Sequence, residues 1–346
     1  MINPRFVVVI VLALAAIAAA LLLSAPAIPK ERAVVVYTSV DAEYALPLFE
    51  RFEKESGIKV VARTDGEATK TTGMAEQLLQ RKDNPDGDVF WNSELSFTQL
   101  LADKGALEPY ISPAADKIPA HFKHPDGLWT GFGCRARVLV YNTQKVTREE
   151  LPKSLEDLSL PRWKGKFAVA KPLFGTTRSH LVALVLALGE EKAFALFRAW
   201  RENGVVIAES NGDVRNRVAD GTFEIGLTDT DDVISAMERN KPVNFTIPQQ
   251  TRAVTEAFLI PNTVAILKGC KHPAEARAFV DYLLRPETEA WLAENGARQI
   301  PVRDVGAKIP DWMHDIKPLQ VDARELAAKV LPLGERIYRV LLGEEK

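Results

Sequence analysis

The sequence predicts an α/β protein built as two units in series, and three observations carry that prediction. Short β-branched runs alternate with helix-length segments, first between Ala33 and Gly105 and again between Lys166 and Arg239. A loop rich in charge and proline, Thr143–Gly165, separates the two series. The chain's 346 residues, 47% of them hydrophobic, suffice for two cores of ordinary size.

The first segment belongs to neither unit. Met1–Arg5 carries one positive charge, Phe6–Leu23 is continuously apolar, and Ser24-Ala25-Pro26-Ala27 is small-residue rich. Basic start, apolar middle and small exit predict a secretory signal over 1–27. An uncleaved N-terminal anchor is the alternative, since the apolar run approaches membrane-spanning length. Both place the rest of the chain in the periplasm.

In the first unit, Ala33-Val34-Val35-Val36-Tyr37 predicts a buried strand. Asp41–Ser56 predicts a helix, with Tyr44, Leu48, Phe49 and Phe52 at helical spacing and Gly57 as its stop. Strands at Ile58–Val61 and Asp88–Trp91 flank a helix at Thr72–Lys82, and Leu95–Gly105 is helical. A long strand follows at Gly131–Asn142. In the second unit, strands are expected at Lys166–Ala170, Val205–Ile207 and Ile225–Thr228. Helices are expected at Thr176–Gly189, Glu191–Asn203, Asp213–Gly221 and Asp231–Arg239. Phe258–Leu267 returns as extended chain, and helices over Ala274–Leu284, Pro286–Glu294 and Leu326–Leu342 complete the chain.

Charge is nearly balanced, 44 Lys and Arg against 46 Asp and Glu, which argues against a nucleic-acid partner. Cys134 and Cys270 lack CxxC spacing and read as two small buried hydrophobes, their pairing unreadable. The five histidines show no metal-ligand spacing, and His121 and His124 are expected at the surface. GxSxG, HExxH, the P-loop and GxGxxG are all missing, so no enzyme is predicted.

Ligands of open α/β sheets bind at the carboxyl ends of strands, and that rule selects the candidate residues. Thr38 and Ser39 follow the first strand, Thr69 the second, and Trp91, Asn92 and Glu94 the third. Trp91 reads as an aromatic wall or as core. Gly175-Thr176-Thr177 opens a helix and could cradle an anion or simply cap it, with Arg178 then solvated. Asp229-Thr230-Asp231-Asp232 suits a cation, with helix capping as its alternative. Arg135 and Arg137 alternate on one strand and share a side, fitting either an anion clamp or hinge ion pairs.

Several runs together resemble the bacterial extracellular solute-binding proteins of the iron(III) type. They are Val36-Tyr37-Thr38-Ser39, Phe52-Glu53-Lys54-Glu55-Ser56-Gly57-Ile58-Lys59-Val60 and Gly87-Asp88-Val89-Phe90-Trp91. The likeness continues in Arg135–Asn142, in Pro161-Arg162-Trp163-Lys164-Gly165-Lys166 and in Ile260–Leu267. The resemblance implies a two-lobed type II periplasmic-binding-protein fold with crossing hinge strands near Gly133–Tyr141 and Ala257–Val264. Lobe 1 would be 33–134 plus 262–310, and lobe 2 would be 140–256 plus 311–346. It implies capture of a small-molecule or metal solute for an ABC permease in the inner membrane, by a monomer without a resident cofactor. A bound metal ion would be cargo. In the family's ferric binders an adjacent tyrosine pair holds the metal. Asp231 and Asp232 stand at the matching place and become the candidate metal ligands. The solute is thus a metal or metal chelate, or a small anion or zwitterion such as an aminophosphonate. An exported sensory module and a periplasmic enzyme are the competing roles.

Overall fold

In a computed structural model, residues 32–64, 72–295, 298–314 and 316–344 are described. The predicted signal over 1–27 and Thr69 lie outside them. Strand β1 (Ala33–Thr38) runs parallel to β2 (Lys59–Thr64) and β3 (Val89–Asn92). Helix α1 (Ala42–Ser56) buries Tyr44, Leu48, Phe49 and Phe52 and stops at Gly57, whose φ of 69° needs no side chain. Helices α2 (Thr72–Gln80) and α3 (Ser96–Asp103) follow, then the two-residue strand β4 (Leu107–Glu108).

The thirteen residues of β5 (Thr130–Asn142) are all buried. Its first half pairs antiparallel with β10 (Leu259–Leu267), from Ala136 opposite Leu259 to Thr130 opposite Val264. Its second half pairs with β8 (Ile225–Asp229) and β9 (Val243–Thr246). A bulge interrupts β10 at Pro261 and Asn262, where proline has no N–H to donate. In between come β6 (Phe167–Ala170), α4 (Gly175–Leu188), α5 (Glu190–Glu202), β7 (Val206–Ala208), α6 (Asn211–Ala219) and, after β8, α7 (Thr230–Glu238). The strand order is β2-β1-β3-β10-β5-β8-β6-β7, with β4 beside β10 and β9 beside β5. Two parallel groups, β2-β1-β3 and β8-β6-β7, are therefore joined through antiparallel β10 and β5. That is the α/β architecture that the sequence predicts, with the crossing strands that the resemblance implies.

Helices α8 (Pro273–Leu283) and α9 (Pro286–Glu294) pack the first group's core, where Phe52 lies edge-on to Phe279 and Tyr282. The last helix, α10 (Ala323–Leu342), inserts Leu326, Leu333, Ile337, Val340 and Leu341 among the buried side chains of α4 and α5. Its Val330 instead meets Ala75 of α2 and Phe97 of α3. One helix thus touches both groups. The stretch 143–165 is not a plain loop: short 3-10 turns there send Leu155, Leu158 and Trp163 into the core. Both cysteines are free, Cys134 buried and Cys270 half-buried.

A cavity at the strand ends

Parallel strands β1 and β3 of one group and β6, β7 and β8 of the other aim their C-terminal ends at one cavity of about 990 Å³. From β1 come Asp41 to Tyr44, and from β3 comes Ser93. From β6 come Lys171 and Phe174 to Thr177, from β7 Glu209 to Asp213, and from β8 Asp229, Asp231 and Asp232. Arg135 of β5 forms the floor between the groups, and Arg239 at the end of α7 lines the rim.

Asp229 is the hub. Arg137 Nη1 donates to its Oδ1 at 2.6 Å. Thr176 Oγ1 donates to Oδ2 at 2.7 Å, Asn211 Nδ2 at 3.3 Å and Arg135 Nη1 at 3.5 Å. Arg135 also gives Nη1 to Asp231 Oδ2 at 3.1 Å and Nη2 to the Ser93 carbonyl at 2.5 Å. Arg137 is wholly buried and donates further to Thr176, Thr177, Asn211 and the Leu227 carbonyl. Asp232 accepts from Thr228 at 2.7 Å and faces Arg215 at 3.7 Å. Burial raises every carboxyl of the cluster, but Arg137 and Arg135 outweigh it at Asp229 and hold that group below the usual range. At Asp231 burial wins over Arg135 and the pKa rises. Burial, then the charges of Asp231 and Asp229, pushes Asp232 up to about 7. Behind the hub His180 stacks on Phe258 and bonds Gln250. Burial and then Arg137 push its imidazole down to about 3, so it stays neutral.

Of the residues the sequence selects, Arg135, Gly175, Thr176, Thr177, Asp229, Asp231 and Asp232 line this cavity. Ser39 lines a small adjoining pocket with Arg135 and donates to Asn92 Oδ1 at 2.6 Å. Others are elsewhere. Trp91 is no wall of the cavity: it is wholly buried, edge-on to Phe49 and beside Phe132, because β3 is covered on both faces. Asn92 is locked between Ser39 and Thr98. Glu94 accepts from the Ser96 and Phe97 amides at the start of α3 and from the Ser179 hydroxyl of α4, so it caps and cross-links. Thr38 Oγ1 accepts from Val40, and Thr230 Oγ1 from Ala136, both away from the cavity. Asp229 makes no side-chain cap bond, so the capping alternative does not describe it. Arg178 is not solvated but buried against the rings of Phe97 and Phe174. His124 is buried beside Trp129 rather than at the surface.

Sequence reasoning missed Asp41, Glu43, Tyr44 and the Glu209–Asp213 turn. The strand-end rule that selects Thr38 and Ser39 reaches them when carried a few residues further.

Residues 88–321 match the family described as bacterial extracellular solute-binding protein. The Fe(3+)-binding periplasmic protein of Serratia marcescens is 26% identical over 313 residues, 88% of this chain and 90% of its own. Iron-bound HitA from Pseudomonas aeruginosa superposes with a TM-score of 0.76 at 24% identity, covering 88% of this chain and 99% of that one. AfuA from Actinobacillus pleuropneumoniae, with fructose-6-phosphate bound, gives a TM-score of 0.74 at 20% identity, covering 91% and 99%. With the type II periplasmic-binding fold in place and a solute-sized cavity at its strand ends, the chain belongs to the bacterial extracellular solute-binding proteins.

Proposed function

We propose that this protein is the periplasmic component of an ABC importer, holding a small charged solute between two hinged lobes and performing no chemistry on it. The lobes are 33–134 plus 262–310 and 140–256 plus 311–346, hinged on β5 and β10. The observation that carries the reading is the meeting of strand ends from both groups on one 990 Å³ cavity, the place and size expected of a ligand site. Closure around cargo would follow from its better contacts in the shut form. Two solute classes fit the walls. A metal chelate accords with the Fe(3+) named for the Serratia relative and the iron named for the Pseudomonas one. A small phosphorylated or zwitterionic solute accords with the sugar phosphate named for AfuA. For such a zwitterion Asp231 and Asp232 offer a seat for a cationic group, and Lys171, Arg215 and the first turns of α4 and α6 face an anionic one.

A thermal-shift screen of the protein from residue 28 onward tests this, using ferric salt, ferric citrate, sugar phosphates, aminophosphonates and polyamines. One class is expected to raise Tm, by about 2.7 kcal/mol of added stability at a hundredfold excess over Kd. Asp231→Ala with Asp232→Ala should abolish most of that rise. A shift that survives the double substitution removes the pair from the site, and silence across the whole screen counts against a charged cargo.

A further inference from the structure

We propose that Arg135 is a built-in counter-cation that sets the cargo class, its guanidinium standing where a bare metal ion would sit. On this view the cavity accepts a solute with an organic or anionic skeleton, chelates included, and refuses the naked ferric ion. The inference rests on the reading of this cavity as the solute site.

Oxygens of Asp229, Asp231 and Asp232 lie within 4.8 Å of one another, a spacing that by itself suits a metal ion. The charges around them say otherwise. Arg135 Nη1 lies 3.1 Å from Asp231 Oδ2 and 3.5 Å from Asp229 Oδ2, bridging two of the three carboxylates. Arg137 takes the other oxygen of Asp229 at 2.6 Å. Asp232 spends one oxygen on Thr228 and turns the other toward Arg215. Three carboxylates are thus met by three guanidinium groups, and an added cation would have to enter next to Arg135. The repulsion from Arg135 scales with the entering charge, so a bare trivalent ion meets about three times what the single charge of an ammonium group would meet there. Nor can Arg135 swing aside cheaply. It is 8% exposed and also donates to the Ser93 carbonyl of the opposite group, so moving it strips partners on both sides.

Size points the same way. A cavity of about 990 Å³ leaves most of its walls untouched by a single ion. A solute carrying its own anionic groups could instead share Lys171 with its exposed partner Glu209 and Arg215 with Asp232 while the Arg135 ion pairs stay intact.

Terbium(III) is the probe, followed by calorimetry and by luminescence sensitised from Tyr44, which lines the cavity beside Arg135 and Asp231. The unaltered protein is expected to show no stoichiometric terbium site. Arg135→Gln removes the charge and should bind one terbium at least tenfold more tightly, and adding Asp231→Asn should cancel the gain. Arg135→Lys keeps the charge and should behave like the unaltered protein, which separates charge from shape. A one-to-one terbium site in the unaltered protein that disappears in Asp231→Asn overturns the proposal, whether or not the Arg135 variants fold. A folded Arg135→Gln without the gain overturns it as well. If terbium behaves as expected while no solute in the thermal-shift screen raises Tm, the cargo reading fails and only the exclusion of a bare metal ion by Arg135 stands.

Discussion

Asp232 shows how a single side chain can make the molecule's stability depend on pH. Its carboxyl titrates near 7 in the fold and near 4 in an unfolded chain. Between those values the unfolded form has lost the proton and the folded form keeps it. Folding therefore takes up a proton, and stability declines as pH climbs from about 4 to about 7. Asp232→Asn cannot titrate and keeps an acceptor for Thr228. Its Tm should match that of the unaltered protein near pH 4 and exceed it by a gap that opens up to about pH 7 and then holds. A flat difference across pH 4–8 in differential scanning fluorimetry would contradict the assignment. The identities of such residues were legible in the sequence, since acids after a strand announce a strand-end site. Their partners were not. That Arg135 and Arg137 share a side follows from alternation, but that both turn toward Asp229 depends on β5 lying antiparallel to β8. Trp91 was undecidable for a related reason: a strand covered on both faces has no polar side to set its direction.

At the level of elements, glycine in the interior of α10 is unexpected, since it costs about 1 kcal/mol relative to alanine. Gly334 has a packing reason. A Cβ there would come within 2.8 Å of Arg178 Cγ, 3.0 Å of its Cδ and 3.1 Å of the Pro172 carbonyl oxygen. The helix passes close to Arg178, which packs against the rings of Phe97 and Phe174 with Nε and Nη1 lacking hydrogen-bond partners among the described residues. Gly334→Ala is therefore expected to lower stability, by about 1–3 kcal/mol in urea unfolding, against the direction of helix propensity. A stabilised variant would mean that the helix can lift without loss. Most elements were readable because β-branched runs and 3.6-residue periodicity were strong. Leu107–Glu108 and Val243–Thr246 were too short to stand out. The core residues of 143–165 follow no repeat, so Leu155, Leu158 and Trp163 gave no sign of burial.

For the whole molecule, two surface ion pairs link distant parts of the chain, the first of them at the rim of the cavity. Arg239 of the second group faces Glu43 of α1 at 3.8 Å, and Glu238 faces Arg298 at 3.9 Å. All four side chains are largely exposed, so each pair contributes less than about 1 kcal/mol and weakens in salt. Such contacts can bias an open–shut equilibrium without fixing it. Arg239→Glu sets like charges against Glu43 and should increase the radius of gyration in small-angle scattering at low salt, and a further Glu43→Arg should restore it. Identical radii for all three proteins would leave the pairs without that influence. The helix that touches both groups has a consequence for timing. Leu326, Leu333, Ile337, Val340 and Leu341 close a core whose other walls are more than a hundred residues upstream in α4 and α5. A ribosome delivers those five side chains long after it has delivered α4 and α5. Until then the nascent polypeptide holds an unfinished interior, so the native state of this core waits on the emergence of α10.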